Sequence, residues 1–441
     1  MTSTSCGPTS LVNASATYPM EYVVPGNCTA PNGITVDGDG RVWFVEQNTS
    51  QLVRYDPKSG NFTEYDLPVA KPITWSLTTT LDNDVWLTDA NSSEIIRFDP
   101  ASLNFTQYHL AEGSFPQQII RGPDGAVWFS ELYGHRIGRI QPDNGLLTEY
   151  PTPNNDTAPS GIAFDSKGML WVTMVSSNKS VSSTIATLDP ANGTYQYYEM
   201  PIPIAQPIGI AVDSSGMVWF AENGSSLIGR FDPLTGGLIQ MPTSGRQGVT
   251  TTLPYWMAED PLGNIWFNEN GANRVAELNP TRMTLVEYDI PSYVPSYGNI
   301  SNAQTIAYGA GGLWFTELST GKIGFVNASV SPDLSVTGPD AFNVSSSTTV
   351  QLNITALGNY SGQFSLGATD AEVSGGALQN FSVSFASPAY FLSGKPVLLT
   401  VNATVTVTTS TILGDYYFTI TAREPGMAAS KIVEALLVPP R

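Results

Sequence analysis

The sequence predicts an all-β protein, in which a seven-bladed β-propeller is followed by an immunoglobulin-like β-sandwich. A hydrophobic-Trp step recurs seven times between Trp43 and Trp314, at spacings of 42 to 48 residues. Repeats of this length that hold four short strands are typical of propeller blades. From about Ser329 the repeat stops, and short strands rich in Val, Thr and Ile follow. We therefore predict an N-terminal extension (residues 1–17), a propeller (18–327) and a sandwich (328–441).

Each propeller unit follows one pattern. It reads P-x-G-I-x-x-D-x-x-G-x-V-W-F-x-E, then I-x-R-x-D-P-x-x-G, then T-x-E-Y-x-x-P. Alternating apolar residues between Gly, Asp and Pro turns predict four strands. The seventh unit lacks the last strand, and residues 20–24 (MEYVV) match it. We expect this N-terminal strand to complete blade seven and to close the ring, which removes exposed sheet edges.

The segment after the propeller contains the strands TVQLNITAL, NFSVSFAS, VLLTVNATVTVTT and DYYFTITA. Their alternation over about 110 residues predicts an immunoglobulin-like sandwich of the general kind, because the Cys…Trp…Cys spacing of antibody domains is missing. The segment contains no cluster of residues that resembles a catalytic site. We expect it to act as a spacer or attachment domain.

Charge and hydropathy exclude several classes of partner. The net charge of -19 and the pI near 4.3 would repel nucleic acids and anionic membranes. The N-terminus MTSTSCGPTS has neither a basic nor an apolar signal region, and no run of 18 apolar residues occurs. We expect no membrane insertion by the chain as given, and a signal peptide or anchor would have been removed from it.

Glycosylation sequons predict an extracellular or cell-surface protein. Seventeen of the 27 asparagines begin an N-x-S/T sequon, whereas the 87 Ser and Thr residues would give about five by chance. Ser/Thr-rich strands beside Asn-rich turns explain only part of this excess. The predicted glycosylation sites are Asn13, Asn27, Asn48, Asn61, Asn91, Asn104, Asn155, Asn178, Asn192, Asn223, Asn299, Asn327, Asn343, Asn353, Asn359, Asn380 and Asn402.

The two cysteines, Cys6 and Cys28, both lie near the N-terminus. Neither has histidines or further thiols close by in sequence, so a zinc site is not indicated. In a secreted protein we expect a Cys6–Cys28 disulfide that fastens the closing strand, with a pair of free thiols as the alternative.

The motifs P-x-G-I, V-W-F-x-E and I-G-R, the last complete at residues 137–139 and 228–230, give the propeller a family resemblance. Over about residues 20–327 it resembles the streptogramin B lyase family. The resemblance implies a seven-bladed propeller and, in active members, magnesium-dependent opening of a cyclic peptide's ester by elimination. It does not extend to the C-terminal domain.

The resemblance also implies a set of catalytic positions, and this sequence departs from most of them. Active members carry a histidine after the proline of the last two blades, where this chain has Tyr255 and Gln304. A first-blade tyrosine corresponds to Asn32, and a glutamate before the blade-seven histidine corresponds to Asn302. Only Glu317 matches an acidic residue of the family.

The absence of those histidines argues against lyase chemistry. The chain has two histidines, His109 and His135, and neither stands at a motif position. Elimination needs a base that titrates near neutral pH, and Tyr255, with an ordinary pKa of about 10, is a poor substitute. We predict a protein that is not an enzyme of this type. No cofactor is indicated, and magnesium enters only with the lyase alternative.

Two positions in each unit are expected beside the central channel. Position -11 from the Trp and position +3 lie equally far from the first turn, so they should face each other across the hairpin. Position -11, or its equivalent in the shorter blade seven, carries Asn32, Trp75, Gln117, Ser160, Ile208, Tyr255 and Gln304. Position +3 carries Glu46, Asp89, Glu131, Met174, Glu222, Glu269 and Glu317.

These residues predict a candidate ligand site at the channel mouth. Trp75, Tyr255 and Trp256 could stack on a ligand, and Gln304, Glu269 and Glu317 could bind a cation, a sugar or a polar peptide. The alternative for the acids is structural, as acceptors of N–H bonds from neighbouring blades that stitch the ring together. The alternative for the aromatic side chains is that they plug the channel.

Two weaker patterns have structural interpretations. Residues 37–40 (DGDG) are similar to part of a calcium loop but lack its later ligands, so we interpret them as a hairpin turn. A series of arginines at one strand position is expected to pair with nearby acids. The series is Arg54, Arg97, Arg139 and Arg230.

Three functions therefore compete. We favour a non-catalytic surface glycoprotein whose propeller is a recognition or assembly module, with surface glycans, other envelope proteins or further copies of itself as partners. A glycan-rich archaeal envelope and a surface layer or filament suit this hypothesis. The alternatives are a magnesium-dependent carbon-oxygen lyase that uses Tyr255 and Glu317, and a carbohydrate-binding propeller.

Overall fold

A computed structural model gives the fold of most of the chain. It describes residues 10–11, 19–26, 28–153, 155–176, 182–198, 200, 204–244, 251–298, 300–330, 334–356, 362–370, 381–387, 389–392, 398–407 and 414–437. These residues form β-strands and turns, with one short 3-10 turn at Pro295–Tyr297. The prediction of an all-β protein is confirmed.

Seven four-stranded antiparallel units each contain one tryptophan of the repeat on their second strand. Two short strands, β1 (Ser10–Leu11) and β2 (Met20–Val23), precede them. Blade 1 is β3 (Pro31–Val36), β4 (Val42–Glu46), β5 (Gln51–Asp56) and β6 (Asn61–Asp66). Blade 2 is β7 (Leu77–Thr79), β8 (Val85–Asp89), β9 (Glu94–Asp99) and β10 (Asn104–His109). Blade 3 is β11 (Pro116–Arg121), β12 (Val127–Glu131), β13 (Arg136–Ile140) and β14 (Leu147–Pro151).

The remaining blades follow the same order. Blade 4 is β15 (Ala158–Phe164), β16 (Leu170–Val175), β17 (Thr184–Asp189) and β18 (Thr194–Tyr198). Blade 5 is β19 (Pro207–Val212), β20 (Val218–Glu222), β21 (Leu227–Phe231) and β22 (Leu238–Pro242). Blade 6 is β23 (Pro254–Glu259), β24 (Ile265–Glu269), β25 (Arg274–Asn279) and β26 (Thr284–Asp289). After β27 (Ser292–Tyr293), blade 7 contains β28 (Ala303–Gly309), β29 (Gly312–Glu317) and β30 (Lys322–Asn327).

The N-terminal strand closes the ring. Strand β2 pairs antiparallel with β30, from Met20 opposite Phe325 to Val23 opposite Lys322, and is the fourth strand of blade 7. The first strands of successive blades contact one another all the way round, and β28 of blade 7 contacts β3 of blade 1. Further upstream, β1 pairs with β27 in the loop between blades 6 and 7.

Each repeat tryptophan packs in the core between blades. In five blades its indole N–H donates to an aspartate of the first turn, as Trp43 does to Asp37 at 2.8 Å. The same Asp37 carboxylate accepts the backbone N–H groups of Asp39 and Arg41 at 3.0 and 2.9 Å. The aspartate of the repeat therefore holds the turn and the tryptophan together.

The register of the first hairpin differs from the predicted one. A β-bulge in the first strand places the position -12 proline opposite the position +3 acid, as with Pro116 opposite Glu131 and Pro254 opposite Glu269. The predicted pairing of positions -11 and +3 is wrong by one residue, because the extra bulge residue shifts the strand. In blades 3, 4, 5 and 6 the bulge leaves the position -11 residue without a partner directly across the hairpin, whereas Asn32 of blade 1 pairs with Val45.

Residues two positions after the repeat tryptophan (position +2) form hydrogen bonds between neighbouring blades. The Thr88 hydroxyl donates to the Gln117 carbonyl of the next blade at 3.4 Å, and the Thr173 hydroxyl donates to the Ile208 carbonyl at 2.9 Å. The side-chain amide of Asn268 donates to the Ala303 carbonyl at 2.5 Å. Small polar residues at this position therefore join neighbouring blades, a role that the repeat pattern alone does not reveal.

The glycine of P-x-G-I allows the close approach of neighbouring first strands. A Cβ on Gly161 would lie 2.0 Å from the Ile208 carbonyl oxygen, and a Cβ on Gly209 would lie 2.4 Å from the Tyr255 carbonyl oxygen. Any side chain at these two positions would clash with the backbone of the next blade. The motif is therefore explained by packing around the channel.

The C-terminal domain contains β31 (Leu334–Thr337), β32 (Ala341–Val344), β33 (Ser347–Ala356), β34 (Gly362–Asp370), β35 (Phe381–Phe385), β36 (Ala389–Leu392), β37 (Leu398–Val407), β38 (Gly414–Glu424) and β39 (Met427–Leu437). One sheet has the order β31-β33-β37-β35 and the other has β39-β38-β34-β36 with β32 parallel to β39. Apolar residues from both sheets, such as Leu352, Val405 and Ile420, share one core. The structure therefore shows a two-sheet sandwich, and its immunoglobulin-like character stays a prediction.

The sandwich is joined to the propeller and is more than an appended spacer. Strand β39 pairs antiparallel with β26, the outer strand of blade 6, from Thr284 opposite Lys431 to Tyr288 opposite Met427. Apolar residues of blades 6 and 7 and of the sandwich also form a single core cluster. The sequence could not show this, because strand pairing between distant segments leaves no local pattern.

The described residues contain no helix with the length and apolar character that a membrane crossing requires.

Candidate functional site

Aromatic side chains from opposite blades meet across the channel mouth. The rings of Trp75 in blade 2 and Tyr255 in blade 6 lie 6.5 Å apart, measured between centroids, and Trp256 lies 5.5 Å from Tyr255. Phe115 and Tyr133 of blade 3 continue the row, with centroid distances of 6.5 Å from Trp75 to Phe115 and 4.8 Å from Phe115 to Tyr133. The predicted aromatic residues therefore come together, and they occupy the channel mouth themselves.

Tyr255 is unsuited to act as a base. Burial raises the pKa of its hydroxyl to about 12, and a hydrogen bond with Gln117 opposes this only in part. A phenol with this pKa is protonated almost completely at neutral pH, so it cannot accept the proton that an elimination removes. The structure thus strengthens the argument drawn from the missing histidine.

Gln304 occupies in blade 7 the position that Tyr255 occupies in blade 6, and it also forms local hydrogen bonds. The Gln304 side-chain amide donates to the Asn302 side-chain oxygen at 2.6 Å, and the Gln304 carbonyl accepts a bond from Asn268 at 3.2 Å. Amide groups do not titrate near neutral pH. Gln304 and Asn302 together can position a polar ligand but cannot transfer a proton.

Several polar atoms at the mouth lack partners among the described residues. The Asn32 side-chain oxygen, the Trp75 indole N–H, the Ser160 hydroxyl and the Trp256 indole N–H are buried without a hydrogen bond there. Buried polar groups normally find a partner, which can be a water molecule or a ligand. The mouth therefore combines aromatic faces with unused donors and acceptors.

Glu317 is buried among acidic and hydroxyl groups. Its carboxyl oxygen accepts a bond from the Thr320 hydroxyl at 2.8 Å, and Glu21 stands beside it. Burial and the Glu21 charge raise its pKa well above the usual range, although Lys322 opposes this. Mg²⁺ is usually held by carboxylates and water, whereas Gln304 and Asn302 are amides that are hydrogen-bonded to each other. Glu317, beside Lys322, is the one carboxyl group of this set, so the three residues together do not fit a magnesium site.

Glu269 belongs to a buried network of charged groups at the junction with the sandwich. It is buried beside Arg274, Glu287 and Arg423, and burial together with the Glu287 charge raises its pKa to about 8. The Arg274 guanidinium lies 3.7 Å from Glu287 and 2.6 Å from Asp289, both on β26. This network belongs to the structure of the junction, and no local pattern could indicate it because Arg423 is 149 residues downstream of Arg274.

The other acids of position +3 act within their own blades. The Glu46 carboxylate accepts from Thr49 at 2.6 Å, and Asp89 accepts the backbone N–H of Ile73 at 3.0 Å. Glu222 accepts the Gln240 side-chain amide at 2.9 Å and the Ala205 backbone N–H at 3.3 Å. The predicted stitching between blades by these acids is corrected, since their partners lie in the same blade.

The channel below the aromatic row is narrow. A cavity of about 160 Å³ lies among the first strands of blades 1, 2, 3, 6 and 7. Its walls include Ile34, Trp75, Ile119, Trp256, Met257 and Ile306. Pockets for drug-sized ligands are usually larger, about 300–1,000 Å³. The cavity suits water or a small polar group, and a larger ligand would bind above the aromatic row.

Each of the two histidines has a local partner and neither stands at a motif position. His109 is exposed and pairs with Glu94 at 2.7 Å, and His135 contacts the Thr157 carbonyl at 3.2 Å. Within the described part of the chain, no three His, Cys, Asp or Glu side chains are grouped so that they could hold a metal ion.

The arginine series stacks on the repeat tryptophans. The guanidinium carbon lies 5.6 to 5.8 Å from the centroid of the cross-strand Trp in all four cases. Only two of the four also pair with an acid, Arg97 with Asp84 at 2.5 Å and Arg139 with Asp124 at 2.8 Å. The predicted acid pairing thus holds in part, and the cation–π contact is the shared feature.

The described residues include some of the predicted glycosylation sites and one of the two cysteines. Asn13, Asn27, Asn178, Asn299, Asn359 and Asn380 lie outside them, as does Cys6. Cys28 is disulfide-bonded, but its pairing with Cys6 stays a prediction. None of the eleven other sequon asparagines is buried, whereas four asparagines outside sequons are buried. The buried four are Asn32, Asn264, Asn268 and Asn273.

Comparison with known families agrees with the geometry of the propeller. A family model described as the virginiamycin B lyase family matches residues 17–304, which is more than half of the chain. Among sequence relatives, a virginiamycin B lyase of Bordetella parapertussis is 41% identical over 51 residues. That match spans 11% of this chain and only 17% of the length of the relative.

Solved structures show a similar propeller. Virginiamycin B lyase from Staphylococcus aureus superposes with a TM-score of 0.60 at 27% identity, covering 72% of this chain and 99% of that one. A streptogramin B lyase structure matches with the same TM-score and identity over 70% of this chain and 96% of its own. A catalytically inactive histidine-to-alanine variant of the Staphylococcus aureus enzyme with quinupristin matches with a TM-score of 0.59 at 28% identity, over 72% and 99%.

Proposed function

The chain belongs to the virginiamycin B lyase family, and we propose that it is a non-catalytic member, a secreted or cell-surface glycoprotein. In this proposal the propeller is a recognition or assembly module. Its partners are surface glycans, other envelope proteins or further copies of the chain, and an archaeal envelope is a suitable setting.

The observation that carries the proposal is the composition of the channel mouth. Tyr255 and Gln304 stand where active members of the family carry histidines, and Trp75 reaches across the mouth to Tyr255. Burial raises the pKa of Tyr255 to about 12, and neither His109 nor His135 stands at a motif position. The two positions at which active members carry a histidine therefore hold no group that accepts a proton at neutral pH.

The positions of the sequons support the glycoprotein part. The described sequon asparagines are exposed or half-exposed, including Asn61, Asn104 and Asn192 at or just before the start of an outer strand. A glycan attached there would extend into solvent without disturbing the core. The scarcity of charged residues, 13% of the chain, also suits a surface in which glycans supply solubility.

Mass spectrometry of glycopeptides tests this part. The protein is secreted from a host with N-glycosylation, and the occupancy of each asparagine is measured. We expect glycans on exposed sequons such as Asn61 and Asn402. Asn279, which precedes a proline in N-P-T, is the matched control and should stay unmodified. A secreted protein with every sequon empty would contradict the proposal.

A carbohydrate-binding propeller is a second candidate, favoured by the unpartnered donors and acceptors beside the aromatic row. Aromatic faces with nearby amide groups are a common arrangement in polar-ligand sites. Binding to a glycan array tests it. If Trp75→Ala abolishes a binding signal that Tyr133→Ala, farther along the row, reduces only weakly, the carbohydrate function is supported. The absence of any bound glycan would exclude it.

A further inference from the structure

Charged groups of the propeller and of the sandwich meet in one network at the junction of the two domains. Four of the groups come from the second, third and fourth strands of blade 6, and one comes from strand β38 of the sandwich. They are Glu269, Arg274, Glu287, Asp289 and Arg423. Charged side chains are rarely buried unless each of them is paired. The junction therefore depends on how these three acids and two arginines are balanced.

Both arginines are engaged with the two acids of β26 and with Ser244. Arg274 Nε donates to Asp289 at 2.6 Å, and its Nη1 lies 3.7 Å from Glu287. Arg423 Nη1 lies 3.9 Å from Asp289, and its Nη2 donates to the Ser244 hydroxyl at 2.7 Å. The Ser244 backbone N–H donates to Glu287 at 2.9 Å. Two positive charges thus balance the negative charges of Glu287 and Asp289.

Glu269 is a third acid that no cation of the network contacts directly. It is fully buried, and neither of its carboxyl oxygens has a hydrogen-bond partner among the described residues. Thr243 beside it donates its hydroxyl to Thr252 at 2.9 Å. Arg274 stands directly across the strand pair, but its guanidinium is held at Asp289 and leaves Nη2 without a bond. An ionised carboxylate that is buried without a bond is costly, so the geometry favours a protonated Glu269 in the closed junction.

The pKa of Glu269 agrees with this geometry. Burial and the charge of Glu287 raise the pKa to about 8, whereas Arg274 and Arg423 oppose the rise. Glu424 follows Arg423 on β38 and lies on the opposite face of the strand, because side chains alternate along a strand. A glutamate in water has a pKa of about 4.3. Over the range between these values, the closed junction keeps a proton that an open, hydrated junction releases.

The network stands at one end of the strand pairing that joins the domains. Strand β39 pairs with β26, and just beyond this pairing the Asp289 N–H donates to the Gly426 carbonyl at 2.9 Å. Gly426 lies in the turn between β38 and β39, three residues after Arg423. An opening at this end therefore separates Arg423 from the acids of blade 6 and lets water reach them.

We propose that Glu269 makes the junction a pH-dependent switch, in which the protonated carboxyl keeps blade 6 and the sandwich closed and loss of the proton favours opening between β26 and β39. The closed form binds more protons than the open one, so acid stabilises it and a rising pH weakens it. The sandwich is then held firmly in a mildly acidic medium and loosely in an alkaline one. This inference is independent of glycosylation and of any ligand at the channel mouth.

Hydrogen exchange of β26 and β39 in the full chain tests the inference. The protection of their N–H groups, corrected for the intrinsic exchange rate, is measured by mass spectrometry from about pH 5 to 9. Because opening releases one proton, we expect protection to fall by up to about tenfold for each pH unit until about pH 8 and then to level off. Glu269→Gln has the shape of the protonated form, so its protection should vary little with pH.

Glu131→Gln is the matched control. Glu131 is the buried acid at the same position of blade 3, and its charged neighbours Arg136 and Glu149 belong to that blade. This variant should leave the pH dependence of protection at β26 and β39 unchanged.

Arg423→Met separates the charge of the arginine from its packing. Because that charge lowers the pKa of Glu269, its loss should move the levelling-off to a higher pH. A purely structural contribution would lower protection equally at every pH. Junction protection that does not change with pH, or the same pH dependence in Glu269→Gln as in the wild type, would overturn the inference. So would an equal loss of the dependence in Glu131→Gln, because exchange would then follow unfolding of the whole protein.

Discussion

At the scale of single residues, the aspartate of the first turn joins that turn to the repeat tryptophan. In blade 1 the Asp37 carboxylate accepts two turn N–H groups and the buried indole N–H of Trp43. The spacing D-x-x-G-x-V-W in the sequence is therefore the spacing of a hydrogen-bonded unit. The sequence suggested a turn at this place but not the bond to the tryptophan.

Replacing Asp37 tests this role. We expect Asp37→Ala to lower the free energy of unfolding by about 2 kcal/mol, because three donors lose their acceptor and the indole is buried. Asp39→Ala in the same turn is the matched control. Its carboxylate is exposed and contacts Arg41, so its loss should cost about 0.5 kcal/mol or less. Denaturant unfolding of both variants measures the difference, and equal losses would refute the assignment.

The position -11 residues show both the success and the limit of sequence reasoning at this scale. Position -11 predicts Trp75 and Tyr255 beside the channel, and the structure places their rings 6.5 Å apart. Phe115 and Tyr133 extend the row, although neither stands at a predicted site position. They lie before the first strand and in a turn, where the repeat pattern says nothing about direction.

At the scale of the elements, the joints between blades depend on position +2. The Thr173 hydroxyl accepts the Gly161 N–H of its own blade at 2.7 Å and donates to the Ile208 carbonyl of blade 5 at 2.9 Å. One hydroxyl thus bridges the first two strands of blade 4 and the first strand of blade 5. Repeats tolerate other residues here, since blade 5 has Ala221.

We expect Thr173→Val to destabilise the propeller by about 1–3 kcal/mol, since it leaves a buried N–H and a buried carbonyl without a partner while keeping the shape. Thr148→Val on the half-buried outer strand β14 is the control and should change the free energy of unfolding by less than about 0.5 kcal/mol. Thermal and denaturant unfolding provide the measurement. A neutral Thr173→Val would show that the bridge contributes nothing.

The register of the first hairpin shows why element geometry was predicted only in part. The number and order of the strands and the closing strand follow from the period of the repeat, which can be read directly in the sequence. The β-bulge that sets Pro254 opposite Glu269 depends on how the first strand curves around the channel. Such curvature comes from contact with neighbouring blades, so a single unit does not reveal it.

For the whole molecule, buried acids around the ring make stability depend on pH. Burial raises the pKa of Glu46 and of Glu131 to about 7, and that of Glu269 to about 8. Between about pH 4.5 and 7–8 the folded protein keeps protons that the unfolded chain has released. The free energy of unfolding should therefore be greatest in mild acid and should fall as the pH rises through this range.

Glu46→Gln isolates one of these groups. The Glu46 carboxyl faces Thr49 and the charge of Glu64, and glutamine has the shape of its protonated form. We expect the variant to match the wild type near pH 4.5 and to be more stable than it at pH 8, by roughly 2 kcal/mol once screening by solvent is allowed for. Melting temperatures from pH 4 to 8 measure this. A variant that is less stable than the wild type at pH 8 would contradict the assigned protonation.

The core shared by the propeller and the sandwich is the second feature that depends on the whole chain. Tyr288 and Ala303 of the propeller share a core cluster with Leu334 and Ile354 of the sandwich, and Arg274 is buried among Glu287 and Asp289. We expect a chain that ends at residue 330 to expose this apolar surface, to bind the dye ANS and to aggregate. A truncated chain that is soluble, monomeric and as heat-stable as the full protein would refute the joint core.

The central claim, that this lyase-family propeller lacks the histidine base of active members, is tested most directly by incubation with a streptogramin B and Mg²⁺ at pH 7. Elimination opens the ring to a linear isomer of equal mass, so chromatography and fragmentation must follow the reaction, and the Staphylococcus aureus enzyme is the positive control. We predict that the cyclic peptide persists unchanged with this protein. A linear product whose formation requires Mg²⁺ would contradict the account, and its loss in Tyr255→Phe would identify the tyrosine as the base.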